Sequence, residues 1–424
     1  MKLNVTSEVG RLRRVLVHLP GREIDDMVPP MMGQLLFDDI LYGQVAREEH
    51  RRFQQLIRFV AEDVYEMQDL LEETLEDEEI RRIVIRDFTK RNHCSRKIVA
   101  TLKELAPAAL AEMLIGGIPN ERKQSGDLPT FDLFPVPNFF FMRDPQVVAG
   151  DGVIVCGMAT QARRRESLLS KYVFQFHKLF RDQPPIRADF MAGGEPELPM
   201  RRGAPTLEGG DVLVARRDLL LVGISERTSR AGVNFLARAL KANDSGIRTI
   251  IAVELPKQRS FMHLDTVFTF VSRDECLIYP PVMLPGGDEA ATVTTIDLTQ
   301  RSLKYTGEKS LIHALRRHRI KVDPIFCGGR KAVDQQREQW TDGANAFALA
   351  PGIILLYERN VRTADELAKH DYHIVYEDDL LLGRTELETW TDKKYAIQIQ
   401  GNELSRARGG PRCMTMPLER EDLA

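Results

Sequence analysis

The chain has 424 residues, and its 62 acidic and 59 basic side chains leave a formal charge of −3. That length can bury one large core or two, and the near-balance of charge argues against a nucleic-acid or membrane-surface partner, leaving a small molecule as the expected ligand. The five cysteines, Cys94, Cys156, Cys276, Cys327 and Cys413, are scattered without a C-x-x-C pair, so neither a disulfide framework nor a thiolate metal site is expected and the compartment reads as reducing. Residues 1–8 lack the apolar run of a signal peptide and no stretch approaches the ~20 apolar residues that span a bilayer, so a cytoplasmic protein is expected.

Taken in order, the elements repeat. Val15-Leu16-Val17 opens as a strand, apolar spacing predicts a helix from about Asp39 to Val60, and Val64-Tyr65-Glu66-Met67 returns to strand. Residues 71–117 then read as helical throughout, over 80–88, 97–105 and 107–113, and are expected to form an inserted helical subdomain between the two parts, 1–70 and 118–424, of a catalytic domain. The acidic run 72–79 reads as a solvated helix start whose charges suit the macrodipole. His93-Cys94 has no second pair of ligands and is a poor metal candidate.

A second unit follows: Gln146-Val147-Val148 and Val153-Ile154-Val155-Cys156 form a hairpin around Gly150-Asp151-Gly152, then a helix runs from about Gln161 to Phe180 and a strand from Ile186 to Phe190. The third pairs 211–214 with 219–222, ahead of a helix at 229–241 and a strand at 249–253. The fourth pairs 267–270 with 276–279, then a helix at 310–318 and a strand from Lys321. The fifth pairs 346–348 with 353–357, then a helix at 363–370 and a strand at 374–376. Five ββαβ units, with the segment after Cys413 free to pair beside Val15-Leu16-Val17, predict radial closure in which the two termini complete one blade. An open α/β sheet would need longer uninterrupted parallel strands.

The unusual polar residues fall at equivalent places, each on the approach to a hairpin: 138–145, 207–211, 262–266 and 409–413. In a closed ring such positions converge on the axis, which would gather Asp144, Glu208, Asp211, His263, Asp265 and Cys413 in one pocket. Singly each has a plainer account: Asp144 can cap a turn before proline, Glu208-Gly209-Gly210-Asp211 can be turn chemistry, and His263 can be a satisfied core histidine. Together they make a negatively charged site suited to a cation, and paired carboxylates match the planar donor fork of a guanidinium. Cys413 itself follows a glycine-rich loop with Arg406, Arg408 and Arg412 upstream, cations that favour thiolate over thiol, and a strand-like apolar run follows it.

At this point the sequence resembles a known family. Asn138 to Asp144, Leu207-Glu208-Gly209-Gly210-Asp211, His263-Leu264-Asp265 and Gly401 to Pro417 are similar to the motifs of the arginine deiminases, and the likeness extends over nearly the whole chain. The resemblance implies the pentein fold, a five-bladed α/β-propeller, and hydrolysis of L-arginine to L-citrulline and ammonium without a cofactor or metal. It further implies that Cys413 is the nucleophile, that Glu208 and His263 assist proton transfer, that Asp144 and Asp265 grip the guanidinium, that Asn138, Arg163 and Arg227 meet the amino-acid end, and that Arg408 gates the site. Some family members have histidine where Arg412 stands, so thiol activation can differ in detail. A homo-oligomer, dimer or tetramer, is expected. The alternatives are an arginine dihydrolase or an amidinotransferase with the same thiol, or a non-catalytic propeller acting as a binding module, which would lack the axial thiol, imidazole and carboxylates.

Overall fold

A computed structural model describes residues 1–120, 131–180, 186–192, 204–287 and 289–423. Mixed α/β units follow one another along the chain, the second to the fifth each built around a buried hairpin. In the first, Leu12–Val17 pairs in parallel with Asp63–Glu66 across the helix Gly43–Ile57, and antiparallel with Met416–Arg420, with Leu16 opposite Met416. The two ends of the chain therefore close one sheet, as the apolar runs at 15–17 and after Cys413 predict.

The second unit pairs Gln146–Ala149 with Gly152–Val155 and, across the helix Arg164–Phe176, with the parallel strand Ile186–Asp189. The third pairs Val212–Arg216, Leu219–Ile224 and Thr249–Glu254 around the helix Arg230–Ala242. Two further antiparallel strands, Thr292–Asp297 and Lys304–Glu308, widen this sheet to five. Sequence reading misses them because the outer strand is exposed almost throughout, and exposed edge strands lack the apolar alternation that marks a strand. The fourth unit, Phe268–Phe270, Glu275–Ile278 and Asp323–Phe326, follows the expected order around the helix Leu311–Arg317.

The fifth unit corrects the expected order. Its last strand, Tyr372–Tyr376, does not pair with Ile353–Tyr357; Lys394–Ile399 lies between them, parallel to both. Central strands of a sheet are covered on both faces and read as continuous apolar runs, which fits Ile353–Tyr357, buried at every position.

Helices Met67–Glu76, Glu78–Arg91, Arg96–Glu104 and Pro107–Gly116 occupy the region read as helical. Asp77 accepts the Glu79 and Ile80 amides, Ser95 accepts the Ile98 amide, and Pro107 starts the last helix, each a sequence-local start signal. The acidic run is a different feature from the one expected: it spans the end of one helix and the start of the next, broken at Asp77. Only Glu78 and Glu79 stand in a first turn, where the dipole favours them. Among the described residues no helix is long and apolar enough to cross a membrane.

Candidate active site

Short turns deliver the polar residues. The 3₁₀ turns Pro137–Phe140, Gly209–Asp211 and Leu264–Thr266 each lie just ahead of a hairpin strand, and the turn carrying Cys413 lies just ahead of Met416–Arg420. Such turns leave the backbone free to aim side chains off the sheet end. They converge on a pocket of ≈ 400 Å³, open mouth included, lined by Asn138, Asp144, Arg163, Arg227, His263, Arg408 and Cys413 among others. Glu208 and Asp265 lie directly behind this lining and are fully buried. All nine predicted site residues are thus brought together. Asp211 is not part of the lining: its carboxylate accepts the Ser225 hydroxyl at 2.6 Å and the Leu264 amide at 2.8 Å, holding the turn next to His263.

His263 is the electrostatic centre. Its Nε2 lies 2.9 Å from Glu208 Oε2 and its Nδ1 3.7 Å from Asp144 Oδ1. Burial disfavours the imidazolium, but Asp144, Glu208 and Asp211 outweigh it and raise the histidine to about 9. Glu208 is held down in turn: burial is outweighed by the bond to His263 and by the Arg227 and Arg163 cations. Gly210 makes room for the ring, since a Cβ there would lie 2.5 Å from His263 Nδ1.

The arginines do not lower the pKa of the thiol, contrary to the expectation from their order in the chain. Arg412 is fully buried and points at acids, with Nε 3.0 Å from Glu8 Oε2 and Nη1 2.8 Å from Asp265 Oδ2. Arg406 pairs with Asp39 and Glu403 at the surface, and the Arg408 guanidinium stacks 3.4 Å from the Trp340 ring centroid. Burial pushes the Cys413 thiol well up, and Asp265, Asp144 and Asp342 push it further. Its Sγ stands 3.7 Å from Asp265 Oδ2. Adjacency in sequence could not show this, because a side chain one residue away can point to the opposite side of the backbone.

Arg163 is also engaged: it bonds Asp144 Oδ2 and Glu166 Oε2, each at 2.8 Å, and lies 3.6 Å from Glu208. Arg227 differs. It is buried, reaches no closer than 4.0 Å to Glu208, and its Nε and Nη1 have no hydrogen-bond partner among the described residues. Asn138 donates from Nδ2 to the Leu35 carbonyl at 2.9 Å, supporting the left-handed Leu36 at the pocket edge. Asp144 Oδ1, 3.7 Å from His263 Nδ1, and Asp265 Oδ1 likewise accept no hydrogen bond there. Buried polar atoms normally find one, so a cation with several N–H donors is the complement the pocket lacks.

Asp144, Glu208 and His263 are close enough to share a metal ion. The donor set fits one poorly, because His263 is held protonated by its acids and the Arg163 cation already bonds Asp144. Sequence reading missed Arg259, which lines the mouth and bonds Asp38 at 2.6 Å, and Glu8, which anchors Arg412 from the far end of the chain.

The fold is shared with solved enzymes of low sequence identity. The N-terminal domain of ArgZ, an arginine dihydrolase from the ornithine-ammonia cycle in cyanobacteria, is 15% identical with a TM-score of 0.51, over 97% of this chain and 99% of that one. SxtG, an amidinotransferase from Microseira wollei, is 14% identical with a TM-score of 0.53, over 99% and 98%. These likenesses define the class: a mixed α/β protein with the pentein type of fold.

Sequence likeness narrows it. The arginine deiminase family model matches residues 33–420. The arginine deiminases of Bacillus thuringiensis subsp. konkukian (strain 97-27) and Streptococcus sanguinis (strain SK36) are 33% and 34% identical, each over 99% of both chains. The chain belongs to the arginine deiminase family.

Proposed function

We propose that the protein hydrolyses the guanidino group of L-arginine, giving L-citrulline and ammonium. The observation that carries this reading is the pair of buried carboxylates, Asp144 and Asp265, each with an oxygen that accepts no hydrogen bond among the described residues, together with a buried thiol 3.7 Å from Asp265 Oδ2 and a histidine raised to about 9. Family membership supports the same reaction.

The chemistry follows from those groups. The substrate guanidinium donates to Asp144 and Asp265, which orients its central carbon toward Cys413 Sγ. Its positive charge offsets the acids that keep the thiol protonated, so the thiol releases its proton to solvent as substrate binds. The thiolate adds to the central carbon. His263, protonated at rest, gives its proton to one terminal nitrogen, and the carbon–nitrogen bond breaks to release ammonia and leave a cationic amidino group on sulfur. The now neutral His263 takes a proton from water, whose oxygen adds to the same carbon. Collapse breaks the carbon–sulfur bond, expels the thiolate and leaves the ureido group, and the protons released convert ammonia to ammonium and restore the thiol.

At the other end of the substrate, Arg227 with its open donors is the group suited to the α-carboxylate, joined by Asn138 and Arg163. Arg408 closes the mouth against Trp340. The five ββαβ units are arranged as a five-bladed propeller, with the helices from Met67 to Gly116 as an inserted subdomain that shapes access or assembly into a homo-oligomer. The reaction needs no cofactor, and a cytoplasmic setting fits the free thiols.

Product analysis tests the reading. Incubation with L-arginine is expected to give citrulline and ammonium in equal amounts. Ornithine with two ammonium ions per arginine would mean a dihydrolase, and product formed only when an acceptor amine is added would mean an amidinotransferase.

A further inference from the structure

Four hairpin approaches deliver residues to the pocket; the fifth delivers one that the chemistry above does not use. Ahead of the strand Phe347–Ala350 the turn carries Asn345, which is fully buried. Its Oδ1 accepts the backbone N–H groups of Arg412 at 3.1 Å and Cys413 at 3.2 Å, and its Nδ2 donates to the Asp265 carbonyl at 3.2 Å. Two donors face the oxygen and one acceptor faces the nitrogen, so a single orientation of the amide satisfies all three. Gly410 permits the approach, since a Cβ there would stand 2.6 Å from Asn345 Oδ1. The far side of the same residue is pinned as well: the Cys413 carbonyl accepts the Arg143 N–H at 3.0 Å, one residue before Asp144.

We infer that Asn345 is a positioning residue of the reaction, fixing the Cys413 sulfur against the Asp265 carboxylate that orients the guanidinium. The inference rests on the reading of Cys413 as nucleophile. The loop before the cysteine is rich in glycine and has wide conformational freedom, so the sulfur needs an outside restraint to hold an attack distance of ~3–3.5 Å from the bound carbon. One amide supplies it and joins the thiol segment to the Asp265 segment. Asn345 does not line the pocket, so it acts on the alignment of sulfur and carbon rather than on substrate affinity.

Steady-state kinetics of Asn345→Ala and Asn345→Asp, beside wild type and Cys413→Ala, test it. In folded Asn345→Ala, kcat is expected to fall roughly 10–100-fold, the scale of a misplaced reacting group, while KM for arginine stays within about 3-fold. Asn345→Asp keeps the acceptor, loses the donor and adds a negative charge against the Cys413 backbone N–H, so alkylation of Cys413 by iodoacetamide should shift to higher pH. A residue that serves stability alone would lower the melting temperature and leave kcat and the alkylation profile at wild-type values; that result overturns the inference. Should Asn345→Ala fail to fold, the kcat of folded Asn345→Asp decides, and a wild-type kcat there is the overturning outcome. If Cys413→Ala itself turned over arginine normally, the nucleophile assignment would fall first, and the positioning role with it.

Discussion

The imidazole of His263 is bonded through Nε2 to Glu208 Oε2 at 2.9 Å, while its Nδ1 faces Asp144 Oδ1 at 3.7 Å. One ring thus stands between two carboxylates, and the resting histidine carries a proton, available to a departing nitrogen. Because the histidine is raised from 6.5 to about 9, kcat/KM for arginine should decline on the alkaline side near that pH, where the general acid is lost. The linkage has the same sign: the stability this group contributes is present below its unfolded value of 6.5 and is lost as pH rises through about 9. Asp144 contributes most to holding that proton, and Glu208→Gln removes a second acid bonded directly to the ring, so the alkaline limb should move to lower pH. A pH–rate series on both proteins checks this, and an unmoved limb would exclude His263 as the acid.

Replacing His263 by alanine should also slow the second half of the reaction, for want of a base to activate water. Acid-quenched His263→Ala incubated with arginine is expected to carry an adduct on the Cys413 peptide with the mass of arginine less ammonia. Peptide mass spectrometry reads it directly, and an adduct on another cysteine would overturn the assignment of the nucleophile.

The thiol of Cys413 is protonated at rest and surrounded by carboxylates. A positively charged amidine electrophile should therefore alkylate it much faster than neutral iodoacetamide, and arginine should protect against both. Equal rates for the two reagents would mean that the acids do not govern access to the sulfur.

Arg227 and Arg163 should separate. Arg227 has open donors, so Arg227→Ala is expected to weaken arginine use by ~2–5 kcal/mol, mainly through KM, with agmatine a poor substrate of the wild type. Arg163 is bonded to Asp144 and Glu166. Arg163→Ala leaves those buried acids without their cation, so it should lower the melting temperature as well as the activity. Thermal melts and kinetics of the two variants, with agmatine as second substrate, distinguish the roles.

Glu8 lies at the opposite end of the chain from Cys413, yet holds Arg412 through both carboxylate oxygens at 3.0 and 3.2 Å. Burial opposes its ionisation, but Arg412, Arg143 and Arg420 outweigh that and hold Glu8 down to about 2. Its folded value lies below its unfolded 4.5, so its stabilisation is present above 4.5 and fades as pH falls toward about 2. Glu8→Gln should cost about 3–5 kcal/mol, the range for breaking a buried ion pair by removing one partner. Denaturant unfolding of the variant measures it.

Local chemistry was legible in the chain itself. The apolar runs at 219–222 and 353–357 and the turn Gly150-Asp151-Gly152 act within a few residues, so they announce strands and a hairpin before any fold is known. The acids, histidine and cysteine ahead of the hairpins were legible for a similar reason, because turns that recur at the same place in each unit mark residues of the same spatial role. Tertiary structure alone decided the rest. Apolar alternation reports that a strand is buried but not which strand lies beside it, so the place of Lys394–Ile399 between Ile353–Tyr357 and Tyr372–Tyr376 could not be read. Charge order along the chain put Arg412 next to the thiol, but its guanidinium reaches acids 404 and 147 residues away in sequence. Asn345 gives no sign in its neighbours that its amide holds the backbone of Cys413. Hydrogen bonds and ion pairs fall off within a few ångströms, so a side chain's partner is set by which segments the closed fold brings into that range.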